Sequence, residues 1–196
     1  MNSFEYADHD IPFLYRNFLL TPEQCIEVTQ EFFENTHFHV EVDSDSKTST
    51  DLPAKFSKRN ILLRYSKSVN YIWDALGVAL EDYVNQYESF KTLAYQWKLD
   101  DDFNFQFYLP GQGFANWHSE NLPPRNRVLV WTVYLSNCED GGTEYKEFNH
   151  HTEKCEMGKL VITPADWMYS HRSQISHTKH KFIATGWVSI IPNMKR

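Results

Sequence analysis

The segment Asn116-Trp117-His118-Ser119-Glu120 holds the chain's most suggestive pairing of reactive side chains. In an extended segment, residues two apart share a face, so the His118 imidazole and the Glu120 carboxylate would project to the same side. Together they are two adjacent ligands for a divalent metal. A third ligand from a distant strand would complete a facial triad with open positions, as oxygen-activating iron sites have. Three further histidines lie near the C-terminal strands, His171, His177 and His180, and on spacing alone any of them could be that ligand. A bare H-x-E tripeptide recurs by chance, and an exposed His near a Glu is usually a surface pair. Lys181 is harder to explain away. A lysine facing inward from a strand must meet an anion or reach water, so a carboxylate ligand is a natural partner. Tyr108 and Tyr134 read equally well as core tyrosines with satisfied hydroxyls. Arg127 and Arg172 flank the same region and read either as substrate contacts or as surface ion pairs.

Positioning such groups requires a sheet. Phe103, Phe105, Phe107 and Leu109 alternate with Asn104, Gln106 and Tyr108, a period of two that predicts a strand with one apolar and one polar face. Val128 to Leu135 is apolar on both faces and predicts a central strand. Gly158 to Thr163 and Lys181 to Ile191 predict further strands, Ile11 to Leu20 and Phe114 to Glu120 shorter ones. Pro110-Gly111-Gln112-Gly113 reads as a turn and Glu139-Asp140-Gly141-Gly142 as a hairpin turn. Thr21-Pro22-Glu23-Gln24 opens a helix with a capping box, running to about Glu34 with Cys25, Val28 and Phe32 on one face. Val69, Ile72, Trp73, Leu76, Leu80, Tyr83, Val84 and Tyr87 form one apolar stripe on a second helix. Residues 41 to 60 are acidic, polar and turn-rich, and read as a surface loop or as a mobile lid over a substrate.

Composition bounds the rest. A chain of 196 residues with 41% hydrophobic and 16% aromatic content is long and apolar enough for one packed domain, residues 1–196, rather than disorder. A formal charge of −7 argues against nucleic acid as the main partner. No apolar run suits a membrane span, and Met1 to Phe13 is polar and acidic, unlike a secretory signal. Cys25, Cys138 and Cys155 are odd in number and widely spaced, which fits reduced thiols in a cytoplasmic protein. The fold class expected is mainly β with N-terminal helices (α+β), a small barrel or double-sheet jelly roll packed by two or more helices.

Several separated elements, taken in order, resemble the 2-oxoglutarate and Fe(II)-dependent dioxygenases, specifically their prolyl 4-hydroxylase-like branch, as a compact single-domain member. Phe107-Tyr108-Leu109-Pro110-Gly111-Gln112-Gly113-Phe114 precedes His118-x-Glu120. Tyr134-Leu135-Ser136-Asn137 with Gly141-Gly142-Thr143 follows, then Gly158-Lys159-Leu160-Val161-Ile162-Thr163-Pro164. His171 comes next, with Lys181 ten residues later and Thr185-Gly186-Trp187 after it. Asn17-Phe18-Leu19-Leu20-Thr21-x-x-x-Cys25 is also similar, less specifically.

The resemblance implies a double-stranded β-helix over residues 101–191, with His118, Glu120 and His171 as both metal ligands and catalytic residues. Lys181 would bind the distal carboxylate of 2-oxoglutarate, supported by Tyr108, Tyr134 and Thr185. The implied cofactors are Fe(II), 2-oxoglutarate and O2, with ascorbate a candidate reductant. The implied reaction hydroxylates an unactivated C–H bond, first of all on a prolyl or other amino-acid residue of a peptide or protein, releasing succinate and CO2. A small-molecule substrate is the alternative. The ten-residue interval to Lys181 favours His171 over His177 and His180. One departure stands out: the family's usual Asp is Glu120 here, whose extra methylene must be absorbed by a backbone shift or a different rotamer. Two competing readings remain, a non-catalytic binding module on the same barrel and a cupin-like enzyme with another metal.

Overall fold

The computed structural model of the chain describes residues 11–55, 66–91, 96–121 and 126–191. Helix α1 spans Pro22–Glu34, and its start is the capping box the sequence encodes. The Gln24 amide donates to Thr21 Oγ1 at 3.3 Å, and the Thr21 amide donates to Gln24 Oε1 at 2.8 Å. Helix α2, Lys67–Gln86, is capped by Ser66 and buries Val69, Ile72, Ala75, Leu76, Ala79 and Tyr83. Trp73 leaves the stripe expected of it and stands 51% exposed. The small Ala75 and Ala79 are buried in the main core instead. A short helix α3, Glu88–Lys91, follows.

The strands are β1 Tyr15–Phe18, β2 Val40–Asp43, β3 Lys47–Lys55, β4 Trp97–Tyr108, β5 Gly113–Phe114, β6 Arg127–Tyr134, β7 Cys138–Tyr145, β8 His151–Cys155, β9 Lys159–Pro164, β10 His171–Ser173 and β11 Lys181–Ile190. They form a large antiparallel sheet in the order β1-β9-β6-β11-β4-β3-β2, with β5 paired to β3, and a small sheet β10-β7-β8. The chain is thus mostly β with few helices, as its patterning predicts. Alternation divides the large sheet's faces. Phe103, Phe105, Leu129, Trp131, Val133, Leu160, Ile162, Phe182, Ala184 and Val188 pack with α1 and α2 in the main core. The opposite face carries the polar residues of the same strands and meets a smaller cluster built from Tyr134, Cys138, Tyr145, Cys155, Val161 and Tyr169.

Three expectations need correction. Residues 41 to 55 are not a surface loop: β2 and β3 make a hairpin that extends the large sheet beside β4. Their polar composition hides this, because the inward side chains satisfy one another. Ser49 donates to Asp51 at 2.7 Å, Lys47 lies 2.5 Å from the same carboxylate, and Ser49 and Asp51 are buried. Residues 56–60 fall outside the described residues. The Glu139-Asp140-Gly141-Gly142 run is not a turn but part of β7. There glycine serves close approach, since a Cβ on Gly142 would lie 2.4 Å from the Glu153 carbonyl oxygen. Finally, the strands expected over Ile11–Leu20 and Phe114–Glu120 are shorter. Phe13 adopts φ +58°, outside strand geometry, and after Phe114 only His118 makes a bridge, to His171.

Candidate metal and cosubstrate site

Register places the polar face of the large sheet in rungs. Asn104, Thr185 and Thr132 share one level, Gln106, Ile183 and Tyr134 the next, and Tyr108 and Lys181 the one beyond. These residues line a cavity of about 550 Å³, together with Thr143, Tyr145, His171 and Ser173 from the small sheet.

His118 and His171 are locked to each other through their backbones, by paired N–H to carbonyl bonds of 3.0 and 2.8 Å. Both rings are oriented alike. His118 Nδ1 lies 3.0 Å from the Asn116 carbonyl and His171 Nδ1 2.9 Å from the Tyr169 carbonyl. A carbonyl only accepts, so each Nδ1 carries a proton, which leaves each Nε2 as the ring atom free to serve a metal. His118 Nε2 is 3.5 Å from Glu120 Oε1. Ligand atoms of His118, Glu120 and His171 all lie within 4.8 Å of one another. Cis ligands of an octahedral ion sit about 3 Å apart, given bonds of about 2.1 Å, so small adjustments would close the set on a cation. Burial lowers the His171 pKa to about 4, and the neighbouring His118 adds to the effect, which keeps the ring neutral. Burial would raise the Glu120 carboxyl, but the His118 contact and the positive groups around it hold it at about 2, an anion at neutral pH. Two imidazoles and an ionised carboxylate are the donor set that suits Fe(II).

Lys181 is 4% exposed and bonds to Ser173 Oγ and, at 3.3 Å, to the Gln174 carbonyl. Burial lowers its pKa to about 8. The Tyr108 ring lies beneath its ammonium, 5.1 Å away. The Tyr108 hydroxyl donates to Gln106 at 2.6 Å, and the Tyr134 hydroxyl bonds Thr143 at 2.8 Å. Thr185 donates to the Trp131 carbonyl at 2.9 Å. The structure therefore gathers all seven sequence-selected residues around one cavity. His177 and His180 are exposed and do not line it. Arg127 and Arg172 both make ion pairs, to Glu120 at 2.6 Å and Glu144 at 2.7 Å, and Arg127 is buried. Lys47, Ser173 and Gln106 also reach the site. The period-two run Lys47, Ser49, Asp51 was the signal for the first of them.

Residues 103–189 match the family model described as the 2OG-Fe(II) oxygenase superfamily. None of the curated proteins compared matches the chain. Among solved structures, the chain is similar to a Pseudomonas putida prolyl-4-hydroxylase, with TM-score 0.67, 14% identity, and 90% of this chain and 91% of that chain covered. It is equally similar to the viral collagen prolyl hydroxylase of Paramecium Bursaria Chlorella virus-1 in its 2OG complex, with TM-score 0.67, 16% identity and coverage of 91% and 97%. A Trichoplax adhaerens prolyl hydroxylase, in complex with a hypoxia inducible factor oxygen degradation domain peptide fragment, also has TM-score 0.67, at 14% identity and coverage of 90% and 83%. Residues 103–189 therefore carry the pattern of the 2OG-Fe(II) oxygenase superfamily, and the likeness to these solved structures shows a shared fold. The superfamily's name implies Fe(II), 2-oxoglutarate and O2, and His118, Glu120 and His171 form a group that could hold the metal.

Proposed function

We propose that the chain hydroxylates a C–H bond of an amino-acid residue in a peptide or protein, a prolyl residue first of all, with release of succinate and CO2. In this reading the whole chain works as one dioxygenase domain, and residues 101–191 form a double-stranded β-helix whose two sheets enclose the site. His118 Nε2, Glu120 Oε1 and His171 Nε2 would hold the iron, and Lys181 the distal carboxylate of 2-oxoglutarate. The observation that carries this is the clustering of three pre-oriented ligand atoms in the same cavity as a buried lysine. Bound iron and cosubstrate supply the oxidising power for C–H cleavage.

The protein's own residues orient and exclude. The Asn116 and Tyr169 carbonyls fix the two rings, and Tyr108 and Ile183 shield the Lys181 end from water. Thr185 stands four residues along β11 from Lys181, about 13 Å of strand. Its contact would therefore fall away from the carboxylate assigned to Lys181. A peptide substrate accords with the peptide complex of the Trichoplax relative. A cytoplasmic setting suits the three buried free thiols. The test is mass spectrometry of proline-containing peptides, other peptides and free amino acids after incubation with Fe(II), 2-oxoglutarate and O2. Gain of one oxygen atom on a peptidyl proline is expected. Oxidation confined to free small molecules would overturn the reading.

A further inference from the structure

Glu120 does not stand alone in the site. Its second carboxylate oxygen, Oε2, receives the Arg127 NH1 donor at 2.6 Å, while Oε1 faces His118 Nε2. The Arg127 guanidinium lies over the Trp187 ring, its carbon 3.3 Å from the ring centroid. Arg127 is 8% exposed, so this is a desolvated pair with a fixed geometry rather than a surface contact.

Strand parity makes the arrangement informative. On β6 the odd residues Leu129, Trp131 and Val133 face the helices, whereas Val130, Thr132 and Tyr134 face the cavity. Regular alternation would send Arg127 into the apolar core. The register of β6 against β11 breaks at this point: Leu129 pairs with Val188, but Arg127, not Val128, pairs with Ser189. One extra residue in β6 turns the following side chain to the other face. The bulge thereby aims Arg127 into the cavity.

We propose that Arg127 is a positioning residue: by occupying Oε2 it makes Glu120 offer a single oxygen to the metal and keeps open the coordination position that 2-oxoglutarate needs. A glutamate has one more rotatable bond than the aspartate usual in such sites, so its carboxylate swings more freely and closes more readily around a cation with both oxygens. The Arg127–Trp187 shelf removes that freedom. The inference rests on the ligand assignment proposed above.

The test uses the full chain loaded with Mn(II), which avoids turnover, and reads two affinities by calorimetry: Mn(II) for the protein, and 2-oxoglutarate for the Mn(II)-loaded protein. Arg127→Gln uncaps Oε2 and removes a positive charge beside the ion. Mn(II) affinity should hold or rise, while 2-oxoglutarate affinity should fall about tenfold, taking a charge-assisted bond as about 1.5 kcal/mol. Arg127→Lys, which keeps a charged donor, should recover at least half of that loss on a logarithmic scale. A merely structural role would weaken both affinities together and lower the unfolding temperature of the metal-free protein; that result overturns the proposal. So does an unchanged 2-oxoglutarate affinity in Arg127→Gln, whatever Mn(II) does. If Glu120→Ala leaves Mn(II) binding intact, the ligand assignment itself is wrong. If Glu120→Ala abolishes it and Arg127→Gln changes nothing, this inference alone fails.

Discussion

Replacing Lys181 with Met keeps the length and apolar bulk of the side chain and deletes its charge. In the structure Lys181 is 4% exposed, and among the described residues its ammonium bonds uncharged oxygens, Ser173 Oγ and the Gln174 carbonyl. A buried cation without an anion is costly, which is why burial lowers its pKa to about 8. The distal carboxylate of 2-oxoglutarate would supply that anion. A hydrogen bond between charged groups contributes about 1.5–3 kcal/mol, so Lys181→Met should raise the half-saturating 2-oxoglutarate concentration by roughly 10- to 150-fold. Succinate release at increasing cosubstrate should still approach the normal rate. The pH dependence has a definite sign. Only the charged lysine binds a carboxylate, so wild-type affinity should be level below about pH 8 and fall above it, by at most about tenfold per pH unit. Lys181→Met should lack that fall between about pH 7 and 9, since it has no proton to lose. A variant with unchanged half-saturation, or a wild type whose affinity rises with pH, would refute the assignment of Lys181.

His177→Ala and His180→Ala should retain near-normal turnover in a succinate assay, because both side chains are exposed and neither lines the cavity. Leu76→Ala should lower stability by about 2–5 kcal/mol in denaturant unfolding, since Leu76 is fully buried between α2 and the sheet. Thr21→Ala should cost about 1 kcal/mol in the same measurement through loss of the capping box, without altering cosubstrate affinity.

Local rules made much of this molecule legible. The α1 boundaries follow from Thr21, Pro22 and Gln24, and β4 from the alternation of Phe103 to Tyr108. The cavity residues follow from the family resemblance, with which alternation agrees, since Lys181 and Thr185 share one face of their strand. What escaped reading involves interactions that local pattern does not contain. The β2–β3 hairpin looked like a loop because Ser49, Asp51 and Lys47 are polar, and only the tertiary fold shows that they neutralise one another inside. Gly141 and Gly142 have turn chemistry, yet their lack of side chains answers to the Cys138 side chain on the same strand and the Glu153 carbonyl on β8. Arg127 was open to two readings because a one-residue bulge inverts its face, and alternation cannot register a bulge from sequence. Trp73 matched the helical spacing but sits at the margin of the stripe, where Ala75 and Ala79 take the contact.

The central claim is that His118, Glu120 and His171 together hold the iron. Anaerobic equilibrium dialysis of Fe(II) against the wild type and His118→Ala, Glu120→Ala and His171→Ala measures it directly, with circular dichroism to show that each variant is folded. The account predicts one Fe(II) per wild-type chain and a loss of affinity of at least about 10- to 100-fold in each variant. A folded variant of any of the three that binds Fe(II) as tightly as the wild type would contradict it.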